Sequence, residues 1–239
     1  MLSFGTQEVM LLIFLIAVMA VCYGLKKLTF SGSLAAGFIG GVVYLADQYR
    51  GVFLLLLFFI ISVIATSHKK KVKLALHPLS IESSGRTAAQ VFANGGIAAL
   101  CALLSLAYPL YSAIFMVMFA SSLASALADT LASELGIIYG RRFYNVLSLK
   151  PDVKGLDGVV SFEGTMIGAF GAFLVGICFS GFTSIAVIIG IAGMLGNLFD
   201  SVIGATFERN GLIGNNFVNF LNTLFAALIG FILFLFINN

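Results

Sequence analysis

The chain has 239 residues, of which 60% are hydrophobic and only 10% charged, with a net charge of +3. A soluble domain carries about 25% charged residues, and with a mean hydropathy of +1.09 this chain lacks the polar surface to live in water. The small net charge gives no reason to expect a nucleic-acid partner, and Cys22, Cys101 and Cys178 lie singly in apolar runs with neither metal-site nor disulfide spacing.

Apolar runs occupy 9–25, 32–46, 51–66, 87–107, 111–138, 164–180, 182–199 and 217–237. They predict an all-α protein: a single integral membrane domain over 1–239, built as a polytopic transmembrane helix bundle of about eight spans. The first run is preceded by Glu8 and followed by Lys26-Lys27, the reverse of a signal peptide, and is read as a retained helix. The second and third are short for a hydrocarbon layer of about 30 Å, which takes about 20 helical residues. Loops of one parity hold Lys26, Lys27, Lys69, Lys70, Lys71, Lys73, Arg86, Arg141, Arg142, Lys150, Lys154 and Arg209, leaving Arg50 alone on the other side. The positive-inside rule then places those loops in the cytoplasm and both termini outside, in a multi-pass protein of the cell membrane. The lysine run at 69–73 suits a topology determinant over anionic lipid, or attraction of a phosphorylated head group.

Polar residues inside the spans carry the functional signal. A carboxylate at membrane depth costs about 2.5–3.5 kcal/mol on insertion scales, which makes it a functional candidate. On the fifth run, Ser122, Ser125, Asp129, Ala132, Ser133 and Gly136 share one helical face. Glu134 stands about 140° round the helix from Asp129, so it suits either a subsidiary catalytic role or an ion pair with Arg141 or Arg142. Arg86, Gln90 and Asn94 make a second stripe; Asn197, Asp200, Ser201 and Gly204 a third; Asn215, Asn219 and Asn222 a fourth, with Asn216 near a helix start. Amides in spans often bond helices together, but these four helices bring theirs to the same inner leaflet. Between the fifth and sixth spans, Lys154, Gly155, Gly158, Ser161, Gly164 and Thr165 suit phosphate binding before a helix N-terminus, or an ordinary glycine turn with an N-cap. No Walker A or GxGxxG pattern occurs.

Magnesium usually takes one or two protein carboxylates and completes its shell with water and substrate phosphates, so Asp129 and Asp200 are the expected metal ligands and catalytic pair. Lys154, Arg86 and the 155–165 backbone are expected to neutralise a triphosphate. The glycine stripe Gly164, Gly168, Gly171 and Ala172 is expected either to groove a lipid tail or to pack another helix.

Four segments, Gly85–Gly95, Ala128–Gly136, Gly155–Thr165 and Gly196–Ala205, with Asn215–Asn222 following, resemble the polytopic family that includes plant phytyl-phosphate kinase and the transmembrane protein 19-like proteins. A more distant likeness is to CDP-diacylglycerol synthase and dolichol kinase. Leu156 and Val159 stand where that loop is expected to carry threonine and glycine. The resemblance implies phosphoryl transfer from CTP, or another nucleoside triphosphate, to a prenyl phosphate lipid of the bilayer. Cytidylyl transfer giving a CDP-lipid, and transport of an ion or solute, remain alternatives at this stage.

Overall fold

The computed structural model describes residues 6–76 and 85–238. Helices make nearly all of it: α1 (Thr6–Gly24), α2 (Phe30–Ser67), α3 (Lys70–Leu76), α4 (Ala88–Ala107), α5 (Ser112–Tyr139), α6 (Phe162–Ser180), α7 (Ser184–Ile203) and α8 (Asn215–Asn238). Six of these helices are long and apolar enough to cross a membrane, and α1 adds a shorter apolar stretch, Val9–Gly24.

α2 accounts for two of the expected spans. Its 38 residues would measure about 57 Å as one straight helix, yet Lys27 Nζ, just before it, donates to Ser67 Oγ at its end over 3.1 Å. The reversal is at Asp47 (φ −139°, ψ 17°) and Gln48 (φ 49°, ψ −136°), inside the polar gap between the second and third runs. Tyr44 and Tyr49 close the turn edge to face at 5.3 Å, and Arg50 forks onto Asp47 at 2.6–3.1 Å. Gly51 is required there, because a Cβ would fall 2.6 Å from Val43 Cγ1. Two limbs of α2, α1 and the remaining five long helices correspond to the eight apolar runs of the sequence.

The basic residues gather at one end in space as well as in loop parity. Leu28 bridges to Arg86, Lys73 pairs with Glu134, His68 meets Tyr139 at 2.8 Å, and Arg209 pairs with Asp152. Arg50 lies at the opposite end, its guanidinium 4.7 Å above the Phe179 ring.

α5 is the axis of the bundle and packs on α2, α4, α6, α7 and α8. Phe119, Leu123, Leu127 and the alanines between them are fully buried. Small residues let α6 press directly on its backbone: a Cβ on Gly164 would meet Ala132 O at 2.9 Å, and one on Gly168 would meet Ala128 O at 2.8 Å. The glycine stripe of α6 is therefore helix packing. Gly171 likewise faces Leu131, and a lipid chain has no groove there.

The loop between α5 and α6 contains a feature that periodicity did not predict. Strands β1 (Phe143–Asn145) and β2 (Val159–Ser161) pair antiparallel, with Phe143 opposite Ser161 and Asn145 opposite Val159. α7 ends in a π turn, Gly204–Glu208, and the loop returning to β2 lies on it. Gly158 has φ +72°, and a Cβ there would fall 2.5 Å from Ala205 N and Cα. Only glycine satisfies both the left-handed backbone and that approach.

Candidate active site: an acidic cleft at the basic end

A cleft of about 930 Å³ opens between the basic-end portions of α5, α6 and α7, the 155–161 segment and the start of α8. Asp129 comes from α5, three turns inside its end, and Asp200 from α7. Their carboxyl groups face each other within hydrogen-bonding range. Asp200 is oriented from behind: Asn222 Nδ2 donates to its Oδ1 over 3.0 Å, and Ser125 Oγ donates to Asn222 Oδ1. Ser125 and Asn222 are 0% and 1% exposed, so this polar chain runs through a dry interior, where each group depends on the next. Neither side chain reaches the cleft; both act through Asp200.

Ser133, Asn197, Ser201, Gly155, Gly158, Ser161, Gly164 and Thr165 line the cleft with the two aspartates. Several of their hydroxyls are engaged locally. Ser133 Oγ donates to Asp129 O and Ser201 Oγ to Asn197 O. Ser161 is the N-cap of α6, its Oγ accepting from Gly164 N over 3.1 Å, and Thr165 Oγ1 donates to Ser161 O. The first turn of α6 is thus capped by its own chain, and the loop's glycines serve its packing as much as access.

Other expected residues lie elsewhere. Glu134 points to another face of α5, where Lys73 Nζ donates to its Oε2 over 2.6 Å; the same ammonium donates to Ala65 O at 2.7 Å. Its partner is Lys73, in place of the expected Arg141 or Arg142. Lys154 does not line the cleft: its Nζ sits 5.3 Å above the Phe143 ring. Arg86, Gln90 and Asn94 line a separate apolar cavity. Gln90 is half of a capping box with Thr87, each side chain bonding the other's backbone N–H. Asn219 Nδ2 donates to Asn215 Oδ1. Asn216 is exposed at the start of α8, while its neighbour Asn215 lines the cleft.

Asp157 and Glu208 also line the cleft, and sequence reasoning missed both. Asp157 was visible inside the glycine loop. Glu208 lies beyond the seventh apolar run, and the π turn swings it back toward Asp200; its carboxyl meets the Asn215 side chain. Among the described residues, the cleft lining therefore holds four carboxyl groups and no basic side chain. No group of three or more His, Cys, Asp or Glu among the described residues forms a self-sufficient metal cage. The donor chemistry of Asp129 and Asp200 does fit a hard divalent cation that keeps part of its shell for water and substrate oxygens. Outside the spans, Arg209 at 2.6 Å, with Val153 N and Asn145, holds the Asp152 carboxyl down to about 2.

Fold and cleft together define a polytopic helical membrane protein with a paired-carboxylate site at its basic end. The chain belongs to a family of integral membrane proteins, DUF92, whose model matches residues 13–227. Among its relatives, the uncharacterized membrane protein MJ0933 of Methanocaldococcus jannaschii is 31% identical over 85% of this chain and 84% of its own. The uncharacterized membrane protein sll0875 of Synechocystis is 32% identical over 90% and 86%. Protein VTE6, chloroplastic, of Arabidopsis thaliana is 29% identical over 93% and 69%. No solved structure matches.

Proposed function

We propose that this chain is a magnesium-dependent phosphotransferase that moves the terminal phosphoryl group of a nucleoside triphosphate, CTP by preference, onto a membrane prenyl phosphate. The observation that carries the reading is the meeting of Asp129 and Asp200 in a cleft at the basic end. The four resembling segments supply the acceptor class, and the match to Protein VTE6 over 93% of the chain is consistent with it.

Asp129 and Asp200 would hold the cation. When bound, it offsets the charge between an acidic lining and a polyphosphate. In the transfer, an oxygen of the lipid phosphate forms a bond to the terminal phosphorus while the bond to the nucleoside diphosphate breaks. A phosphate monoester is already ionised, so the site needs no general base, and no Ser/His/Asp or Cys/His arrangement was found in the sequence. This chain's own work is positioning: Ser125 and Asn222 set Asp200, and the 155–165 segment rims the entrance, with Lys154 and Arg209 outside it. By the positive-inside rule the cleft faces the cytoplasm of a cell membrane.

The test uses purified protein with magnesium, radiolabelled CTP or ATP and a panel of prenyl phosphates, read by product mass. The reading expects lipid diphosphate and nucleoside diphosphate; a CDP-lipid with pyrophosphate would make the enzyme a cytidylyltransferase. Asp129→Asn and Asp200→Asn should each abolish turnover with the melting temperature retained. Near-normal turnover in both would remove the metal assignment.

A further inference from the structure

A second cavity, of about 840 Å³, lies away from the acidic cleft, walled by α1, both limbs of α2 and α4. Phe14, Leu15, Ile39, Val52 and Phe59 give it an apolar interior. Its polar wall is the Arg86, Gln90 and Asn94 stripe that the cleft does not use. Gln90 is committed to the helix cap, and Asn94 Nδ2 donates to Gln90 O over 3.0 Å. Arg86 differs. Among the described residues it has no ion-pair partner; its guanidinium lies 6.0 Å above the Phe58 ring. Glu134 acts on it only at a distance and is already bonded to Lys73. Burial pushes the Arg86 guanidinium below its ordinary pKa, the signature of a cation short of compensation. α1 closes one side by seating Met19 Sδ against Gly37 and Leu15 against Gly40, and its outer face, including Met10, Ile13 and Ile16, is exposed.

We propose that this cavity binds one single-chain lipid, its anionic head group paired with Arg86 and its hydrocarbon chain between α1, α2 and α4. Two features define that class. The lining is apolar along the helices and cationic at the basic end, which matches an amphiphile aligned with the bilayer. The cation is an arginine, whose planar fork suits a phosphate or carboxylate head. A chain that leaves the bilayer for this cavity exchanges one hydrocarbon environment for another and gains little hydrophobic free energy. Selectivity therefore comes from the head group, and affinity should depend on its charge more than on chain length. The proposal stands apart from the reaction at the acidic cleft.

The sequence contains no tryptophan, so Phe59→Trp, excited selectively over the tyrosines, provides a sole tryptophan reporter on the cavity wall. In phosphatidylcholine nanodiscs, hexadecyl phosphate should shift its emission saturably. Hexadecanol and dioleoyl phosphatidic acid should bind at least tenfold more weakly, and inorganic phosphate should give no shift. In the same reporter, Ala36→Phe, which fills the cavity, should abolish the response, Arg86→Gln should reduce hexadecyl phosphate to the level of hexadecanol, and Asp129→Asn should leave it unchanged. Absence of a saturable shift, equal binding of phosphate and alcohol, equal binding of the two-chain lipid, persistence of the response in Ala36→Phe, or its loss in Asp129→Asn would each overturn the proposal. Should Arg86→Gln fail to fold, the head-group comparison and Ala36→Phe decide the question without it.

Discussion

Asn222 is the residue at which the site can be tested without touching a cleft ligand. Asn222→Leu keeps the side chain's branch point and heavy-atom count, though it is bulkier, removes the donor to Asp200 Oδ1 and removes the acceptor for Ser125 Oγ. Hydrogen bonds between membrane helices average about 0.6 kcal/mol, with a maximum near 1.7; the bond to a carboxylate belongs at the upper end. Leaving the fully buried Ser125 hydroxyl unpaired adds about 1 kcal/mol or more. The expected loss is roughly 2–3 kcal/mol, read by reversible unfolding in mixed micelles. Ser125→Ala alone should cost less, since it strands only the Asn222 carbonyl. The double variant should be no worse than Asn222→Leu, a coupling of about 1 kcal/mol. In the phosphotransfer assay, Asn222→Leu should lower kcat about tenfold or more, equivalent to about 1.4 kcal/mol, with the nucleotide KM little changed. Single-variant costs that add within about 0.5 kcal/mol would refute the chain from Ser125 through Asn222 to Asp200.

Three further outcomes follow from the packing and the loop. Gly158→Ala should lose roughly 1–3 kcal/mol or more, because a left-handed backbone and contact with Ala205 act together; Gly211→Ala, with φ +70° and open space around it, should lose only about 1 kcal/mol, and equal melting shifts would contradict the packing. Gly168→Leu should destabilise the α5–α6 contact and reduce turnover equally for short and long prenyl phosphates, whereas selective loss of long chains would restore the tail groove on α6. For pH, the Asp152 carboxyl lies below its unfolded value of about 3.9, so its stabilising contribution is present above that value and is lost as pH falls through about 2. Asp152→Asn should flatten acid unfolding between roughly pH 4 and 2, by a small amount because the pair lies near the surface.

The parts of this molecule that were legible in the sequence are those where one physical cost dominates. Uncompensated charge at membrane depth singled out Asp129 and Asp200, and the α-helical angle set Glu134 apart from Asp129, where it pairs with Lys73. The polar gap at 47–50 marked the reversal of α2. Residues whose chemistry serves two purposes were not decided by spacing. A glycine stripe fits a groove or a close-packed helix equally well, and only the approach of Ala128 O to Gly168 chooses. Ser161 before a helix suits a ligand or a cap, and it is a cap. Arg86, Gln90 and Asn94 share a face as their spacing implies, but the neighbour they face depends on the reversal of α2. Glu208 was missed because apolar periodicity ends before it and a π turn changes the angle per residue. Strands of three residues are too short for alternation to reveal.

The same glycines that obscure the reading make the cleft rigid. Backbone contact between α5 and α6 at Gly136, Gly164 and Gly168, and of Gly158 with Ala205, fixes the helices that carry Asp129 and Asp200 and seats the loop against the π turn. On the proposed function, such a site would perform its positioning before substrate arrives, which is where phosphotransfer draws much of its effect. Charge is the element left unbalanced. With Asp129, Asp157, Asp200 and Glu208 in the lining and the nearby lysine turned onto Phe143, a polyphosphate entering alone meets only repulsion from these side chains. On the proposed function, nucleotide affinity should therefore depend steeply on magnesium and collapse in excess chelator. Binding of labelled CTP by equilibrium dialysis measures this directly, and affinity unchanged by chelator would show that the four carboxylates do not face the nucleotide.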